Sequence, residues 1–261
     1  FYWDKLAMAE HPGEYAYATN TNWMLAMDVS YGHPQSRPIP HSIKRPLENR
    51  VWYRYPGQGP TNSHSLQGVT QPALIGRVLD GGASQVTTMT YNSKWMVTSR
   101  TDPAGRQTNY TYATNGLDLL TVEQVRSDGT DVLQAYSNYS NHLPGTITDA
   151  AGQDTDITYN SAGQPLTVTN AKSETTTYTY ETGTNNLLTV TGPVSGATTT
   201  YTYDAYNRVE SVEDADGFVV VSDYDNLNRL TQRTYPDDTT EAFTYSRLDL
   251  TEQKDRLGRI T

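Results

Sequence analysis

The four histidines near the N-terminus are the side chains best suited to bind a metal or to act as a general base. They are His11, His33, His41 and His64, and a neutral imidazole can serve both purposes. None of them has the i, i+4 spacing that places two zinc ligands on one face of a helix. They stand near Pro and Gly in segments typical of loops. We therefore predict neither a metal site nor a Ser-His-Asp site among them.

A serine nucleophile and a calcium loop are also disfavoured by spacing. The segment 192–196, Gly-Pro-Val-Ser-Gly, lacks the Gly two residues before Ser195 that a nucleophile elbow requires. In an EF-hand frame, Gly217 at the sixth position places Val212 at the first and Asp223 at the twelfth. Those positions need an oxygen ligand and a bidentate Glu. Both segments are instead predicted to be turns.

Adjacent carboxylates could be taken for the acid and base of a glycosidase. The pairs are Asp237-Asp238 and Glu213-Asp214. Neighbours in an exposed turn do not face each other across a substrate, as glycoside hydrolysis requires, and nothing in the sequence predicts a raised pKa for either member. The sequence thus predicts no catalytic residue, no metal and no cofactor, and the chain is not expected to be an enzyme.

The tyrosines have two interpretations. Tyr178, Tyr180, Tyr201 and Tyr203 could stack on the apolar faces of sugars, with hydroxyl-rich strands around them as hydrogen-bonding partners. In the interpretation that we favour, these rings stack on equivalent residues of neighbouring strands and stabilise a sheet. Twenty Tyr against three Phe fit a sheet with one packed face and one wet face.

Composition limits the remaining classes of function. Only 35% of the 261 residues are hydrophobic, so the core is predicted to be thin or shared. Asp and Glu outnumber Lys and Arg by 29 to 19, which argues against a nucleic-acid partner because phosphate binding needs clustered cations.

No apolar run is long enough to predict a membrane span. Cysteine is absent, so disulfides and thiolate chemistry are excluded. Because the chain starts at Phe1 without a leader, any secretion signal is expected upstream.

An eleven-residue block that repeats along the chain is the main structural signal. Its clearest copy is DPAGRQTNYTY at 102–112, with a turn residue first, Gly three residues on, and alternating positions that end at a Tyr. Copies in the same register begin at residues 149, 170, 193, 214 and 235, weaker ones begin at Gly81 and Gly129, and a truncated one covers 255–261. Asp-x-x-Gly is typical of a type I turn, and alternation is typical of a strand. The block is predicted to be a turn that leads into a strand.

A second turn follows the Tyr of the block, as in 159-YNSAG, 203-YDAYN and 224-YDNLN. Asn can replace Gly there because both tolerate positive φ. A second short strand then completes a unit of about 21 residues that is stable only when stacked on its neighbours. The repeat positions that we single out are Tyr91, Gly105, Tyr112, Tyr139, Gly152, Tyr159, Tyr180, Gly196, Tyr203, Gly217, Tyr224, Tyr245 and Gly258.

Residues 1–80 lack this register and form a first region, whereas residues 81–261 carry the repeats. Eight of the thirteen Pro lie in the first region. We expect a strand and turn at 51-VWYRY followed by Pro56-Gly57, and a proline-rich loop at 32–41 that cannot sit in a central ladder. The segment 22–28 and Met8 could be a helical turn or a strand. The region is interpreted as degenerate β units that continue the sheet, or as a separate N-terminal cap.

The second turn carries a family resemblance. Tyr-Asp-x-x-Asn-Arg followed by an apolar residue, at 203–209 and 224–230, resembles the Tyr-Asp-x-x-Gly-Arg-Leu signature of the RHS or YD-repeat proteins, with Asn in place of Gly. The stretch 255-DRLGRIT keeps the Gly-Arg half of the signature. Asn in two signatures, and Pro236-Asp237-Asp238 in place of the usual turn, are departures that could change the local twist.

The resemblance implies an all-β fold in which antiparallel hairpin repeats wind as a spiral sheet and form part of a hollow YD-repeat shell. It implies a structural wall that encloses a C-terminal polypeptide such as a toxin, in a protein that is secreted or on the cell surface and of bacterial origin. Any self-cleaving plug would lie outside this chain. The alternative is a cell-surface module that binds a glycan or a protein, while an enzyme of polysaccharide processing has the least support. The expected partners are the remainder of its own chain and, in the alternative, a carbohydrate or a surface protein.

Overall fold

The computed structural model describes residues 1–28, 33–58 and 70–261, and within them it contains twenty strands, one α-helix and one 3-10 helix. Residue 32 and His64 lie outside the described residues. The chain divides into two compact units, residues 1–136 and 137–261. The strand pairings within each unit are antiparallel, and successive strands pair with each other. The all-β fold of antiparallel hairpins is therefore confirmed.

The first unit holds both helices and strands β1 to β9. Its elements are α1 (Lys5–Glu10), the 3-10 helix (Tyr15–Tyr17), β1 (Asn20–Asp28), β2 (His33–Lys44), β3 (Val51–Arg54), β4 (Leu74–Val78), β5 (Ser84–Tyr91), β6 (Val97–Thr101), β7 (Gln107–Tyr112), β8 (Leu119–Val125) and β9 (Thr130–Ser137). β4 pairs with β5, so antiparallel pairing continues across residue 80.

The second unit is a meander of short strands. They are β10 (Thr146–Asp149), β11 (Asp154–Tyr159), β12 (Pro165–Thr169), β13 (Thr175–Tyr180), β14 (Leu187–Thr191), β15 (Thr198–Tyr203), β16 (Val209–Glu213), β17 (Val219–Tyr224), β18 (Leu230–Thr234), β19 (Thr240–Ser246) and β20 (Asp249–Lys254). Because each strand reverses direction, the turns fall alternately on two edges of the sheet. We call the edge with the turns that open the eleven-residue blocks the glycine edge, and the edge with the turns that follow the block tyrosines the tyrosine edge.

The sheet has little buried interior. Among the described residues, the fully buried hydrophobic side chains are Ala18, Met24 and Tyr55, all in the first unit. In the second unit, all of which is described, Thr146 is the one fully buried residue. In β13, Tyr178 and Tyr180 are half-buried while Thr179 between them is exposed. One face is therefore partly packed and the other wet, as the alternation predicted.

The prediction of a proline-rich loop at 32–41 is wrong for the described part of that segment. Residues His33–Lys44 form β2, which pairs with β1 along its length but with β3 only at Ser42 and Ile43. Among the described residues, Pro34, Pro38 and Pro40 thus lie where β2 has β1 as its one neighbour, so a missing N–H there interrupts at most one ladder. The Pro signal was correct in excluding a central strand, but it does not exclude an edge.

The ambiguous segments of the first region are resolved by the structure. Residues 22–28 belong to β1, and Met8 lies in α1, whose N-cap is Asp4. The side-chain Oδ1 of Asp4 accepts a hydrogen bond from the N–H of Ala7 at 2.8 Å, which is the usual N-cap arrangement. The strand and turn predicted at 51–57 are confirmed by β3 and the turn at Pro56-Gly57.

Candidate functional site

The first element of the site is the turn that opens each block on the glycine edge. In the clearest copy, the N–H of Gly105 donates to the carbonyl of Asp102 at 2.9 Å, and Gly105 has φ +81°. Asp102 Oδ1 accepts from the backbone N–H groups of Ala104 and Arg106 at 2.9 and 3.0 Å. This is a three-residue hairpin loop built on a type I turn with a left-handed third residue. Asp therefore holds the loop with its side chain, and Gly makes the reversal without strain.

The left-handed position of these turns does not always hold Gly. Asn207 and Asn228 occupy it on the tyrosine edge with φ of 60° and 61°, and Ser173 and Asp238 occupy it on the glycine edge with φ of 62° and 61°. Asp238 donates its N–H to the carbonyl of Tyr235 at 2.9 Å, as Gly105 does to Asp102. The departures from the family signature at these positions therefore preserve the turn.

An arginine at the end of the turn closes an ion pair on the aspartate at its start. Arg208 Nε lies 2.6 Å from Asp204 Oδ2, and Arg229 Nε lies 2.8 Å from Asp225 Oδ2. The pKa of Asp225 lies below its ordinary value, chiefly because the Arg229 side chain donates to it and then because the Arg229 N–H does so. The same ion pair joins Arg106 to Asp102 and Arg259 to Asp255 on the glycine edge. The Gly258-Arg259 pair thus lies on the edge opposite to the two Tyr-Asp-x-x-Asn-Arg signatures.

On the tyrosine edge, side chains of one turn donate hydrogen bonds to the backbone of the turn in the next repeat. Arg208 Nη1 donates to the carbonyl of Asp225 at 2.8 Å, and Arg229 Nη1 donates to the carbonyl of Arg247 at 2.6 Å. Earlier in the same edge, Gln164 donates to the carbonyl of Asn185 at 2.9 Å. An arginine that neutralises its own turn therefore also binds the next turn along the sheet.

The same arginines lie over the next block tyrosine. The guanidinium carbon of Arg208 is 4.8 Å from the ring centroid of Tyr224, and that of Arg229 is 4.2 Å from the ring of Tyr245. Both distances are within the roughly 6 Å over which a cation is attracted to an aromatic face. Each arginine thus links its own turn, the next turn and the next tyrosine.

The block tyrosines complete the connection between strands through their hydroxyl groups. Tyr180 O–H donates to the carbonyl of Pro165 at 2.9 Å, which joins the end of β13 to the start of β12. The other bonds of this kind run from Tyr91 to Pro72, Tyr112 to Val97, Tyr159 to Pro144, Tyr203 to Leu187, Tyr224 to Val209 and Tyr245 to Leu230. Burial is the largest cause that raises the pKa of Tyr180 and of Tyr203. We call such a hydroxyl-to-carbonyl bond a tyrosine clasp.

The tyrosine rings were predicted to stack on the equivalent residues of neighbouring strands, but the residues opposite them are aliphatic. Tyr178 lies opposite Val190 and Tyr201 lies opposite Val212, while Tyr180 lies opposite Leu187. The rings therefore pack across the strands against aliphatic side chains, a pairing that also stabilises a sheet. The ladder shifts by one residue between Thr179 and Tyr180, which places the Tyr at a bulge beside the next turn.

The positions selected from the sequence fall into three groups. Gly105, Gly152, Gly196, Gly217 and Gly258 have φ between 75° and 82° in turns of the glycine edge. Seven of the eight selected tyrosines form the clasps described above, but Tyr139 lies in the loop after β9. The two weak copies are displaced, because the turns there begin at Leu79 and Arg126 and not at Gly81 and Gly129.

Tyr55 is a clasp residue that the sequence reasoning missed. Its hydroxyl donates to the carbonyl of Pro40 at 2.7 Å, between β3 and β2. Burial, and next the neighbouring Tyr53, raise the pKa of Tyr55 to about 12. Tyr55 stands fifteen residues after its acceptor like most of the other clasp tyrosines, but no Asp-x-x-Gly precedes it, so the repeat pattern did not include it.

The acidic contact that His11 makes is local, since its Nδ1 lies 3.3 Å from Glu14 Oε1 three residues further on. His11 stacks on Tyr17 with ring centroids 3.6 Å apart, and His41 makes an edge contact with Trp52 at 5.4 Å. Within residues 1–28, 33–58 and 70–261, no group of three or more His, Asp or Glu side chains could hold a metal ion. No helix in the described part of the chain has the length and apolarity to span a membrane.

Comparison with known proteins agrees with this architecture. Residues 159–193 and 182–219 match the model of the RHS Repeat family, and no curated protein sequence matches the chain. A solved structure of the Tc holotoxin pore of Photorhabdus luminescens, with a mutation in TccC3, has a TM-score of 0.60 and 12% identity over 79% of this chain and 12% of that chain. A crystal structure of TcdB2-TccC3 with Cdc42 has a TM-score of 0.48 and 16% identity over 86% of this chain and 12% of that chain.

The similarity at 12% identity concerns the fold, and the chain spans 12% of the length of the structures that it matches. The hairpin meander, its two sets of turns and its clasps define a β-repeat protein in which side chains join each repeat to the next. Residues 159–219 of this chain are RHS repeats, and the same repeat register continues on both sides of them.

Proposed function

We propose that the chain forms part of the wall of a hollow shell built from RHS repeats. The observation that carries this proposal is the near absence of a buried interior in the second unit, where Thr146 is the one fully buried residue. An isolated globular domain depends on a core. Here the clasps join neighbouring strands along the sheet, and Arg208 and Arg229 join their turns to the next ones, as a wall made of many repeats requires.

The wall is proposed to enclose a polypeptide that follows it in the same protein, such as a toxin. The fold is shared with part of a Tc holotoxin pore, which supports this partner and a bacterial protein that acts outside the cell. In this proposal the chain is a structural element without catalytic activity of its own.

Two adjacent threonines provide a test of the wall. In β13, Thr176 is half-buried and lies on the face of Tyr178 and Tyr180, whereas Thr177 is exposed on the opposite face. We would place a single cysteine at either position, Thr176→Cys or Thr177→Cys, in the complete protein that contains this chain, with any other cysteine replaced. Labelling rates with a small maleimide and with a maleimide attached to a large polyethylene glycol would then be compared.

In a closed shell one face is enclosed, so the large reagent should react at one of the two positions and be excluded from the other. The small reagent should react at both, and the large reagent should reach both after the shell is unfolded in urea. If the large reagent labels both positions equally in the folded protein, the sheet does not close around a cavity and the proposal is wrong.

A further inference from the structure

The connection between β2 and β3 carries a local excess of positive charge in an acidic chain. Residues 37–54 contain five Lys or Arg side chains and one carboxylate, that of Glu48, whereas the whole chain has a formal net charge of -10 at pH 7. Arg45 Nη1 and Arg77 Nη2 lie 3.8 and 3.5 Å from Glu48 Oε2. Two arginines therefore share this one carboxylate, and the segment keeps an excess of positive charge.

Arg50 is half-buried and has no carboxylate partner in the part of the chain that the structure describes. Its Nη1 donates to Ser42 Oγ at 3.0 Å, its Nη2 donates to Asn20 Oδ1 at 2.9 Å, and its guanidinium carbon lies 5.8 Å from the ring centroid of Trp52. These partners are neutral, whereas charged side chains that leave water are normally paired with an opposite charge. A guanidinium has more N–H groups than these bonds use, so Arg50 can still donate to an anion.

Lys44 lies beside Arg50 through a shared neighbour. Asn20 is opposite Lys44 in the ladder between β1 and β2, and the same Asn20 accepts from Arg50. Lys44 Nζ donates to the carbonyl of Glu48 at 2.7 Å, and like Arg50 it forms no ion pair with a described residue. The fold thus brings two cations without a carboxylate partner to one end of β1.

A cavity of about 450 Å³ lies between these cations and an aromatic pair. Lys44 and Arg50 line it together with Phe1 and Tyr15, whose ring centroids are 4.5 Å apart. None of the described residues that line the cavity is acidic. The volume falls in the range of about 300–1,000 Å³ that is common for ligand sites. The cavity therefore offers both positive charge and an aromatic surface.

Leu47 on the wall of this cavity has an unfavourable backbone conformation. Its φ is +59°, a value that is uncommon for residues other than Gly, Asn and Asp. The residue is 98% exposed, so the chain itself gives this apolar side chain almost no contact. Backbone strain of this kind is concentrated at ligand sites and switch regions. A ligand in the cavity would supply Leu47 with an apolar contact.

We propose that this cavity binds a small aromatic anion. Its acidic group would accept charge-assisted hydrogen bonds from Arg50 and Lys44, and its ring would pack against Phe1 and Tyr15. A cation would meet like charges there, and an inorganic anion would leave the aromatic surface uncovered. A carboxylate and a phosphate ester share the required chemistry, and the experiment separates them. This inference does not depend on the proposed wall function.

The test is a titration of the ¹⁵N-labelled 261-residue chain with naphthoate, naphthyl phosphate and naphthamide, followed by amide chemical shifts. At least one of the two anions should shift the amides of residues 15–20 and 44–50 and leave the second unit unchanged, and the anion that binds more tightly identifies the preferred acidic group. Naphthamide has nearly the shape of naphthoate but no charge. It should bind about tenfold more weakly or less, because a hydrogen bond to a charged group is worth more than a neutral one.

Lys44→Gln should weaken binding of the preferred anion by about tenfold, because it removes one charge-assisted hydrogen bond. Arg45→Gln is the matched control: Arg45 is the next residue, it carries the same charge and also contacts Glu48, but it does not line the cavity. It should leave the affinity unchanged. The proposal is overturned if neither anion shifts these amides, if naphthamide binds as tightly as the anions, or if Arg45→Gln weakens binding as much as Lys44→Gln.

Discussion

The tyrosine clasp can be tested by removing one hydroxyl group. Tyr180→Phe deletes the donor of the 2.9 Å bond to the carbonyl of Pro165 and leaves the ring in place opposite Leu187. A net intramolecular hydrogen bond is worth about 0.5–1.5 kcal/mol, and an acceptor left half-buried without a partner adds to that cost. We therefore expect a loss of about 1 kcal/mol in the free energy of unfolding, and a fall in Tm of about 2–4 °C for a chain of this size.

Tyr178→Phe is the matched control for that change. Tyr178 lies two residues earlier on the same face of β13 and is half-buried like Tyr180, but its hydroxyl forms no hydrogen bond within the described chain. Urea unfolding followed by circular dichroism should show Tyr178→Phe within about 0.3 kcal/mol of the parent, since no bond is lost. Equal destabilisation by the two changes would refute the clasp as a source of stability and leave ring packing as the cause.

Three further predictions follow from the turns and the clasps. Ser173→Gly should stabilise the chain by about 1 kcal/mol in urea unfolding, because Ser173 has φ +62° and a left-handed L-residue costs about 1–2 kcal/mol, whereas Lys172→Gly, at ordinary φ, should destabilise it. Tyr55 should ionise near pH 12 in an absorbance titration, and that step should vanish in Tyr55→Phe. Because its folded pKa exceeds the unfolded value of about 10, the stability it contributes is present below pH 10 and is lost as the pH rises towards 12. For Asp225 the pKa is lowered, so the stability it contributes is present above its unfolded pKa and is lost as the pH falls through the folded value. Asp225→Asn should therefore flatten the acid limb of a plot of unfolding midpoint against pH, and an unchanged limb would contradict the ion pair with Arg229.

Several parts of the site were accessible to sequence reasoning because they are local. Asp102 and Gly105 are three residues apart and form their bonds within one loop, so residue preferences for turns suffice to predict them. The alternation of Tyr178, Thr179 and Tyr180 likewise indicates two faces without any knowledge of the neighbours. The same reasoning failed at β2, since proline excludes a strand only where both sides are paired, and pairing is not a local property.

The tyrosine clasps could not be predicted from the sequence because they depend on strand register. Tyr180 and Pro165 are fifteen residues apart and meet only because β12 and β13 pair in one register. A slip of one residue would turn the ring to the other face. The displaced copies show the same limit, because the turn at Arg126 lies three residues before the Gly129 that the repeat pattern indicated.

For the clear copies of the block, the sequence by itself determined the repeat length, the strands, the two faces and the residues that make the turns, because each of these follows from backbone preferences and side-chain alternation over a few neighbouring positions. Only the tertiary structure decided which carbonyl each tyrosine binds, which turn each arginine reaches and that residues 140–143 form a small hairpin between β9 and β10. Those contacts depend on how strands align in space, and alignment is fixed jointly by the whole ladder and its bulges instead of by any one segment.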